Sequence, residues 1–211
     1  MAQAGDVAHP EGSQRVKVGV LLARQPNDLG EWLADGAAFE AAGADALWVD
    51  LDPEPELDPL ALTAALAAVT YRSLLVTTLP APDGPSGALA RMLATIRRLS
   101  HGRLRILADT IPSGGLAEIG VGIFRRIPGE PSAFEHAHEP GAFEHAREPG
   151  ETERWVTTAS PDSRAAWRAA LRNAAEHGSR GLLVPANPRL LDLLRNPDDH
   201  DDRRDLQLAQ G

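Results

Sequence analysis

Seven polar residues stand at or just after the ends of apolar segments, and their types suit acid–base chemistry or phosphate binding. A carboxylate can move a proton, and a hydroxyl beside a helix N-terminus can bind a phosphate oxygen. In parallel α/β folds such groups gather where the strands end, so position along the chain selects the candidates. The predicted catalytic residues are Asp50 and Asp52, and the predicted binding residues are Thr77, Thr78, Asp109, Ser160 and Ser163.

The two aspartates follow the apolar run ALWV, which predicts a buried strand. A carboxylate at a strand end that is partly desolvated by a bound ring has a raised pKa and can act as a general acid or base. The alternative is that Asp50 or Asp52 accepts hydrogen bonds from the backbone of the loop that follows, as aspartates in turns often do.

The serines lie in the segment SPDS, between a predicted strand and a predicted helix. Unpaired amides and the positive end of the dipole make such a helix N-terminus suitable for an anion, and Ser160 and Ser163 could hold a phosphate there. Asp162 opposes this by repelling an anion, and a capping motif without a ligand is the alternative. Arg189 is a second possible phosphate partner, with an exposed surface role as its alternative.

The elements that position these residues alternate between short apolar runs and helical patterns. Asn27 or Asp28 is a candidate N-cap for the first helix and Asp58 for the second. Pro59 suits a first helical position, and Ser160 is expected to cap a later helix. Strand, helix, strand in this rhythm predicts a parallel α/β sheet. Seven strands are expected over 15–23, 46–51, 73–79, 103–108, 119–127, 154–159 and 181–185, with five helices between and after them.

Residues 16–109 resemble the luciferase-like flavin- or F420-dependent oxidoreductases. The likeness rests on short motifs in the order in which that family carries them. They are the segment around Glu40 to Val49, Asp58-Pro59, AALAAVT (64–70), Val76-Thr77-Thr78, Ala90-Arg91 with Ala94-Thr95, Leu99-Ser100 and Gly102-Arg103-Leu104.

The resemblance implies a parallel (β/α) barrel of the luciferase-like type, shortened or incomplete because a full barrel of this type needs roughly 250 residues. It also implies FMN or F420 as cofactor and a monooxygenase or other oxidoreductase activity on a small organic substrate. Thr77-Thr78 aligns with the segment where this family carries a strained cis peptide under the flavin ring; the alternative for Thr77 is a core strand position. The family further implies a homodimer formed by helices of the first half. The alternative function is a non-catalytic relative that binds flavin or a partner protein.

A tandem duplication interrupts the second half of the chain: AFEHAHEPG (133–141) is followed at once by AFEHAREPG (142–150). The expected division is a disordered N-terminus (1–14), one barrel domain (15–196) with an inserted surface loop (128–153), and a charged tail (197–211). A metal site formed by His136, His138 and His145 is the alternative use of the repeat, although the spacing matches no standard site.

Composition excludes several classes of function. The net charge of −9 argues against nucleic-acid binding, and the absence of cysteine excludes disulfides, thiolate metal ligands and a cysteine nucleophile. No GxSxG, HExxH or phosphate-loop motif occurs. Without an apolar segment typical of a signal peptide or a membrane span, the sequence predicts a cytoplasmic protein.

Overall fold

Eight strands and five helices form the part of the chain that the computed structural model describes, namely residues 15–22, 28–49, 57–79, 87–108, 119–137 and 153–197. In chain order they are β1 (Lys17–Leu22), α1 (Leu29–Ala41), β2 (Ala46–Val49), α2 (Pro59–Val69), β3 (Leu74–Thr78), α3 (Gly87–Leu99), β4 (Leu104–Leu107), β5 (Gly122–Ile127), β6 (Glu130–Ala137), β7 (Glu153–Thr157), α4 (Arg164–Glu176), β8 (Gly181–Pro185) and α5 (Pro188–Arg195). None of the helices in these ranges has the length and hydropathy that a membrane crossing needs.

The strands close into a barrel in sequence order. Closure occurs where β1 pairs in parallel with β8, from Lys17 opposite Gly181 to Leu21 opposite Pro185. The predicted α/β barrel is therefore confirmed, but the ring is complete and has eight strands rather than about seven.

The additional strand is β6, which lies inside the segment 128–153 that was expected to be a loop. It pairs antiparallel with both β5 and β7, whereas all the other pairs are parallel. Pro128 and Gly129 form the turn that joins β5 to β6, and Gly129 has a φ of 81°, which a glycine adopts without strain. A hairpin needs only such a short turn, while a parallel crossover needs a dozen or more residues.

Side-chain caps fix where four of the helices begin. Asp28 caps α1, and Asp58 accepts hydrogen bonds from the amides of Leu60 and Ala61 at the start of α2. Asn187 caps α5, and Pro188 occupies its first turn. The expected cap of α4 is wrong by three residues, because Ser163 rather than Ser160 accepts from the third amide along the chain.

Large aromatic side chains fill the barrel interior. Trp48, Phe124, Phe134 and Trp155 are at most 1% exposed and form one cluster, with ring centroids of Trp48 and Phe124 4.8 Å apart. The indole of Trp155 lies against Gly181, where an added Cβ would stand 2.0 Å from its ring. A second apolar layer packs the outer side of the sheet against the helices.

Charged groups close the amino end of the barrel, where the parallel strands begin. Lys17 and buried Glu153 form an ion pair of 2.6 Å, and the charge of Glu153 also acts on Arg105. Burial lowers the pKa of Arg105 and the nearby Glu153 carboxylate opposes that effect.

A second buried carboxylate at this end joins α1 to the start of β3. The Glu40 side chain accepts hydrogen bonds of 2.7–3.0 Å from the consecutive amides of Tyr71, Arg72 and Ser73. Burial raises the pKa of Glu40, but these three amides and the charge of Arg103 lower it by more, so the net shift is downward. Arg103 in turn donates to the carbonyl oxygens of Thr70 and Ser73.

Candidate functional site

The carboxyl end of the barrel presents a rim of inward-facing side chains, here called the mouth. These side chains are assigned to the interior face because each lies an even number of residues along its strand from a side chain of the interior core. They combine apolar side chains, two hydroxyls and a guanidinium, and include Leu21, Thr78, Leu107, Arg126, Thr157 and Pro185.

Adjacent threonines on β3 face opposite sides of the sheet. Thr77 is fully buried and its hydroxyl donates to the Pro59 carbonyl at the start of α2, 3.3 Å away. That is the geometry of a core residue between sheet and helix, the alternative that the sequence left open. Thr78 is half-buried on the mouth side. No cis peptide bond occurs in the described ranges, which include the bond between these two residues.

The two serines lie in the loop between β7 and α4, beside the loop between β8 and α5. Asn187 donates from Nδ2 to the Ser160 hydroxyl at 2.8 Å and accepts at Oδ1 from the Leu190 amide. Ser163 accepts from the Ala166 amide at 3.0 Å. The structure thus brings together the N-termini of α4 and α5, with Ser160 and Asn187 between the two loops.

The three aspartates predicted from sequence lie outside the described residues. Their neighbours are described: β2 ends at Val49, directly before Asp50, and Ala108 follows β4 directly before Asp109. The Ala108 amide donates to the Phe124 carbonyl at 3.0 Å, which keeps this end of the chain on the sheet. Asp52 comes three residues after the end of β2.

Arg126 and Asn187 belong to this end of the barrel and were not among the predicted site residues. Arg126 pairs with Phe134 across β5 and β6, and its guanidinium carbon lies 5.7 Å from the centre of the Phe134 ring. The preceding Arg125 faces outward and forms an ion pair of 2.6 Å with Glu135. The sequence pattern around Phe124 indicates this placement, because every second residue of a strand lies on the same face. Arg126 therefore shares the face of Phe124, and Arg125 lies on the opposite one.

Two buried indole nitrogens lie beneath the mouth without a hydrogen-bond partner in the described part of the chain. They are Nε1 of Trp48 and Nε1 of Trp155. A buried N–H without an acceptor costs about 1–3 kcal/mol of stability, so unsatisfied groups of this kind are rare in native proteins.

A separate apolar cleft of about 220 Å³ opens between the N-terminal halves of α1 and α2 on the outside of the barrel. Its lining is almost entirely aliphatic or aromatic, and its polar member, Asp58, is engaged as the cap of α2. The lining residues are Leu29, Trp32, Leu33, Leu57, Asp58, Ala61, Leu62 and Ala65.

Metal-ligating side chains do not converge within the described ranges, where no group of three or more His, Asp or Glu residues comes together. His138 and His145 lie outside those ranges, as does the side chain of His136. The described ends of the connection between β6 and β7 both lie at the amino end of the barrel, opposite the mouth.

No family model and no curated protein matches this chain. Solved structures do. A riboflavin lyase crystallised with modified FMN and riboflavin is 21% identical over 51% of this chain and 33% of its own, with a TM-score of 0.37. An EDTA monooxygenase from Chelativorans sp. BNC1 is 18% identical over 82% of this chain and 64% of its own, with a TM-score of 0.38.

The tryptophan synthase of Mycobacterium tuberculosis is 15% identical over 87% of this chain and 91% of its own, with a TM-score of 0.48. The chain therefore spans a third of the riboflavin lyase and slightly less than two thirds of the EDTA monooxygenase. Identities of this size do not transfer an activity from one barrel to another.

Proposed function

We propose that this protein is a luciferase-like oxidoreductase that uses reduced FMN or F420 on a small organic substrate. The proposal begins with the motifs between Glu40 and Leu104, which fall on the elements from α1 to β4 in the order that the family carries them. The observation that carries it is the contact between the last two loops, where Asn187 donates to Ser160 at 2.8 Å.

That contact supports a phosphate site because barrels often bind phosphate with the loops after the seventh and eighth strands and a helix N-terminus. Here Ser163 and Asn187 order the N-termini of α4 and α5, and the Ser160 hydroxyl lies between the two loops. Exposed Asp162 stands beside them and weakens the attraction for an anion.

The mouth has side chains that suit a flat ring with one apolar and one polar edge. Leu21 and Leu107 offer apolar contact, Thr78 and Thr157 offer hydroxyls, and Arg126 offers a positive charge. The aromatic cluster below is fully packed, so the ring would lie across the strand ends rather than inside the barrel.

A reduced flavin or deazaflavin, when bound, supplies the electrons, and the chain supplies binding, water exclusion and proton transfer. The packed interior excludes water from below the mouth. Asp50 or Asp52, just beyond β2, is the proposed group that holds or moves a proton, since a carboxylate covered by a ring has a raised pKa. Asp109, just beyond β4, is a proposed cofactor contact.

A non-catalytic relative is the second candidate, and the reversed strand favours it. Because β6 runs antiparallel, the tight turn at Pro128-Gly129 replaces two of the loops that a fully parallel barrel presents at its mouth. Fewer loops leave fewer positions for catalytic side chains.

Titration of the purified protein with FMN, reduced FMN and F420, followed by cofactor fluorescence and thermal shift, tests the proposal. The variant Asn187→Asp sharpens it, because Asp caps a helix as well as Asn does but adds a negative charge between the loops. We expect this change to weaken FMN at least tenfold and riboflavin, which lacks the phosphate, by less than twofold.

Thr95→Ala is the matched control, since Thr95 is exposed on α3 and its hydroxyl donates to the Arg91 carbonyl of the same helix. Saturable binding without turnover of any reduced cofactor would favour the non-catalytic candidate. If none of the three cofactors binds, the proposal is refuted.

We also propose a homodimer and a cytoplasmic location. The dimer is supported by α2, which has no charged residue and exposes Ala61, Ala68 and Val69. Size-exclusion chromatography with light scattering tests the dimer, and a particle of 22.5 kDa would contradict it.

A further inference from the structure

The apolar cleft between α1 and α2 is a second concave surface, on the outside of the barrel, whereas the mouth faces the interior. Its volume is about 220 Å³. A cavity of about 150 Å³ with an aliphatic and aromatic lining is large enough to bind benzene. The cleft therefore has room for one aromatic ring that carries a short alkyl chain.

The walls of the cleft are held in place by the core of the protein. Trp32 and Leu62 belong to the buried cluster between the sheet and the helices, and Leu33 and Leu57 pack against that cluster. Leu29, which also lines the cleft, is 49% exposed. A ligand that covered Leu29 and filled the cleft would remove apolar surface from water in a site that is already formed.

Asp58 gives this apolar cleft a charged edge. The hydrogen bonds from the amides of Leu60 and Ala61 are both accepted by Oδ1 of Asp58, at 2.8 and 3.0 Å. Oδ2 is the other oxygen of the same exposed carboxylate. It can accept a charge-assisted hydrogen bond from an ammonium group whose apolar body fills the cleft.

The charges around the cleft have one sign. No Lys, Arg or His occurs from Gln25 to Tyr71, the stretch that contains both helices. Each helix N-terminus contributes roughly half a positive charge, but Asp28 and Asp58 cap the two ends with a full negative charge each.

Further charges strengthen this field. Glu31 and Asp35 add to it from the exposed side of α1. Arg91 and Arg189 belong to the helices beyond, α3 next to α2 and α5 next to α1. The nearest charges therefore favour a cation over a neutral molecule or an anion of the same shape.

We propose that this cleft binds a protonated primary amine whose apolar body has about the size of a phenylalkyl group. The hydrocarbon part lies against Trp32 and Leu29, and the ammonium group donates to Oδ2 of Asp58. The site is on the outside of the barrel, so it does not depend on a cofactor at the mouth.

Three molecules of the same shape and different charge test the proposal by isothermal titration calorimetry at pH 7. They are 4-phenylbutylamine, which is a cation at this pH, the neutral 4-phenylbutan-1-ol and the anion 4-phenylbutanoate. We expect the amine to bind saturably, with one molecule per chain. The alcohol should bind about fivefold more weakly, as the loss of one exposed ion pair implies, and the carboxylate should bind more weakly still.

The variant Asp58→Asn separates the charge from the cap, because Asn caps a helix as well as Asp does. It should weaken the amine about fivefold, to the affinity of the alcohol, and change the alcohol by less than twofold. Ala65→Leu extends a lining side chain into the cleft and should weaken both molecules at least tenfold. Ala68→Leu is the matched control, since Ala68 is exposed further along the same helix, and it should bind as the wild type does.

The proposal is overturned if the wild type does not bind 4-phenylbutylamine, if it binds the amine and the carboxylate equally, or if Ala65→Leu and Ala68→Leu have the same effect. Titrations at several protein concentrations test a second copy of the chain as the occupant. An affinity for the amine that falls as the protein concentration rises would show that a second copy covers the cleft, and would also overturn the proposal.

Discussion

Gly181 and Trp155 together determine whether the barrel interior can pack, and replacing the glycine tests this directly. A Cβ at residue 181 would lie 2.0, 2.3 and 2.4 Å from three ring carbons of Trp155. The Trp155 ring is fully buried and cannot move away freely. On one side Gly19 lies so close that a Cβ added there would stand 2.8 Å from the ring, and on another Phe124 packs edge-on, with ring centroids 5.8 Å apart.

The expected cost of Gly181→Ala is therefore at the upper end of the range for overpacked cores, about 3 kcal/mol. A flexible side chain could rotate away from the new methyl group, but an indole wedged between two strands must shift as a rigid body by more than about 1 Å to reach an ordinary contact distance. Trp155→Phe shortens the ring, so the double variant should be more stable than the sum of the single effects by at least about 1 kcal/mol.

Guanidinium unfolding followed by far-ultraviolet circular dichroism measures these free energies without depending on tryptophan fluorescence. Gly87→Ala is the control, because Gly87 is exposed at the start of α3 and a Cβ added there would stand 3.8 Å from the Arg91 guanidinium. The stability of this variant should be unchanged or slightly raised. A cost of Gly181→Ala below about 0.5 kcal/mol, or strictly additive effects in the double variant, would refute the packing described here.

Three further changes probe the charged and polar groups of the barrel by the same measurement. Glu40→Gln should lower the free energy of unfolding by about 2 kcal/mol at pH 7. Because the pKa of Glu40 is lowered in the folded state, this stabilisation exists above the ordinary carboxyl pKa and is lost as the pH falls below about 4. An equal loss of stability at pH 3 would contradict the reasoning. Glu153→Gln should cost about 2 kcal/mol, less than a fully buried pair because Lys17 is 35% exposed, and adding Lys17→Met should recover part of the loss; no recovery would argue against the pair. Trp48→Phe should cost no more than about 1 kcal/mol, since it also removes an indole N–H without a partner, and a loss above 3 kcal/mol would show that this nitrogen is satisfied.

The first half of the fold could be predicted because each element carries its own local signal. Asp58 and Pro59 mark the start of α2 by chemistry that acts within one turn, and the apolar strands β1 to β4 are covered on both sides, which gives continuous runs. These signals do not depend on distant contacts.

The strand β6 was missed because its signals conflict. Pro131 lies in its second position and argues against a strand, and the tandem repeat begins within it. Pro128-Gly129 did mark a turn, and two residues of this kind between apolar segments indicate a hairpin. The pairing partner, however, is fixed only by the barrel as a whole.

The sequence indicates where a loop residue lies more readily than which way the side chain of a strand residue points. Ser160 lies between the last two loops, as its place after a strand suggests. Thr77 and Thr78 are neighbours in sequence, but the pleat of β3 turns Thr77 toward α2 and Thr78 toward the mouth. The same alternation separates Arg125 from Arg126, and only the register with Phe134 tells which one faces inward.

The reversed strand also explains how so short a chain closes an eight-stranded ring. A parallel barrel needs a crossover helix after each strand, whereas the β5–β6 hairpin is joined by two residues and β6 returns the chain to the amino end. The end of β6 and the start of β7, which flank the connection that carries most of the tandem repeat, therefore both lie at the amino end of the barrel, opposite the mouth. The hairpin shortens the chain but removes loops from the mouth, so the binding proposed there would depend on the remaining strand ends and on the inward-facing residues of β5, of which Arg126 is the outermost.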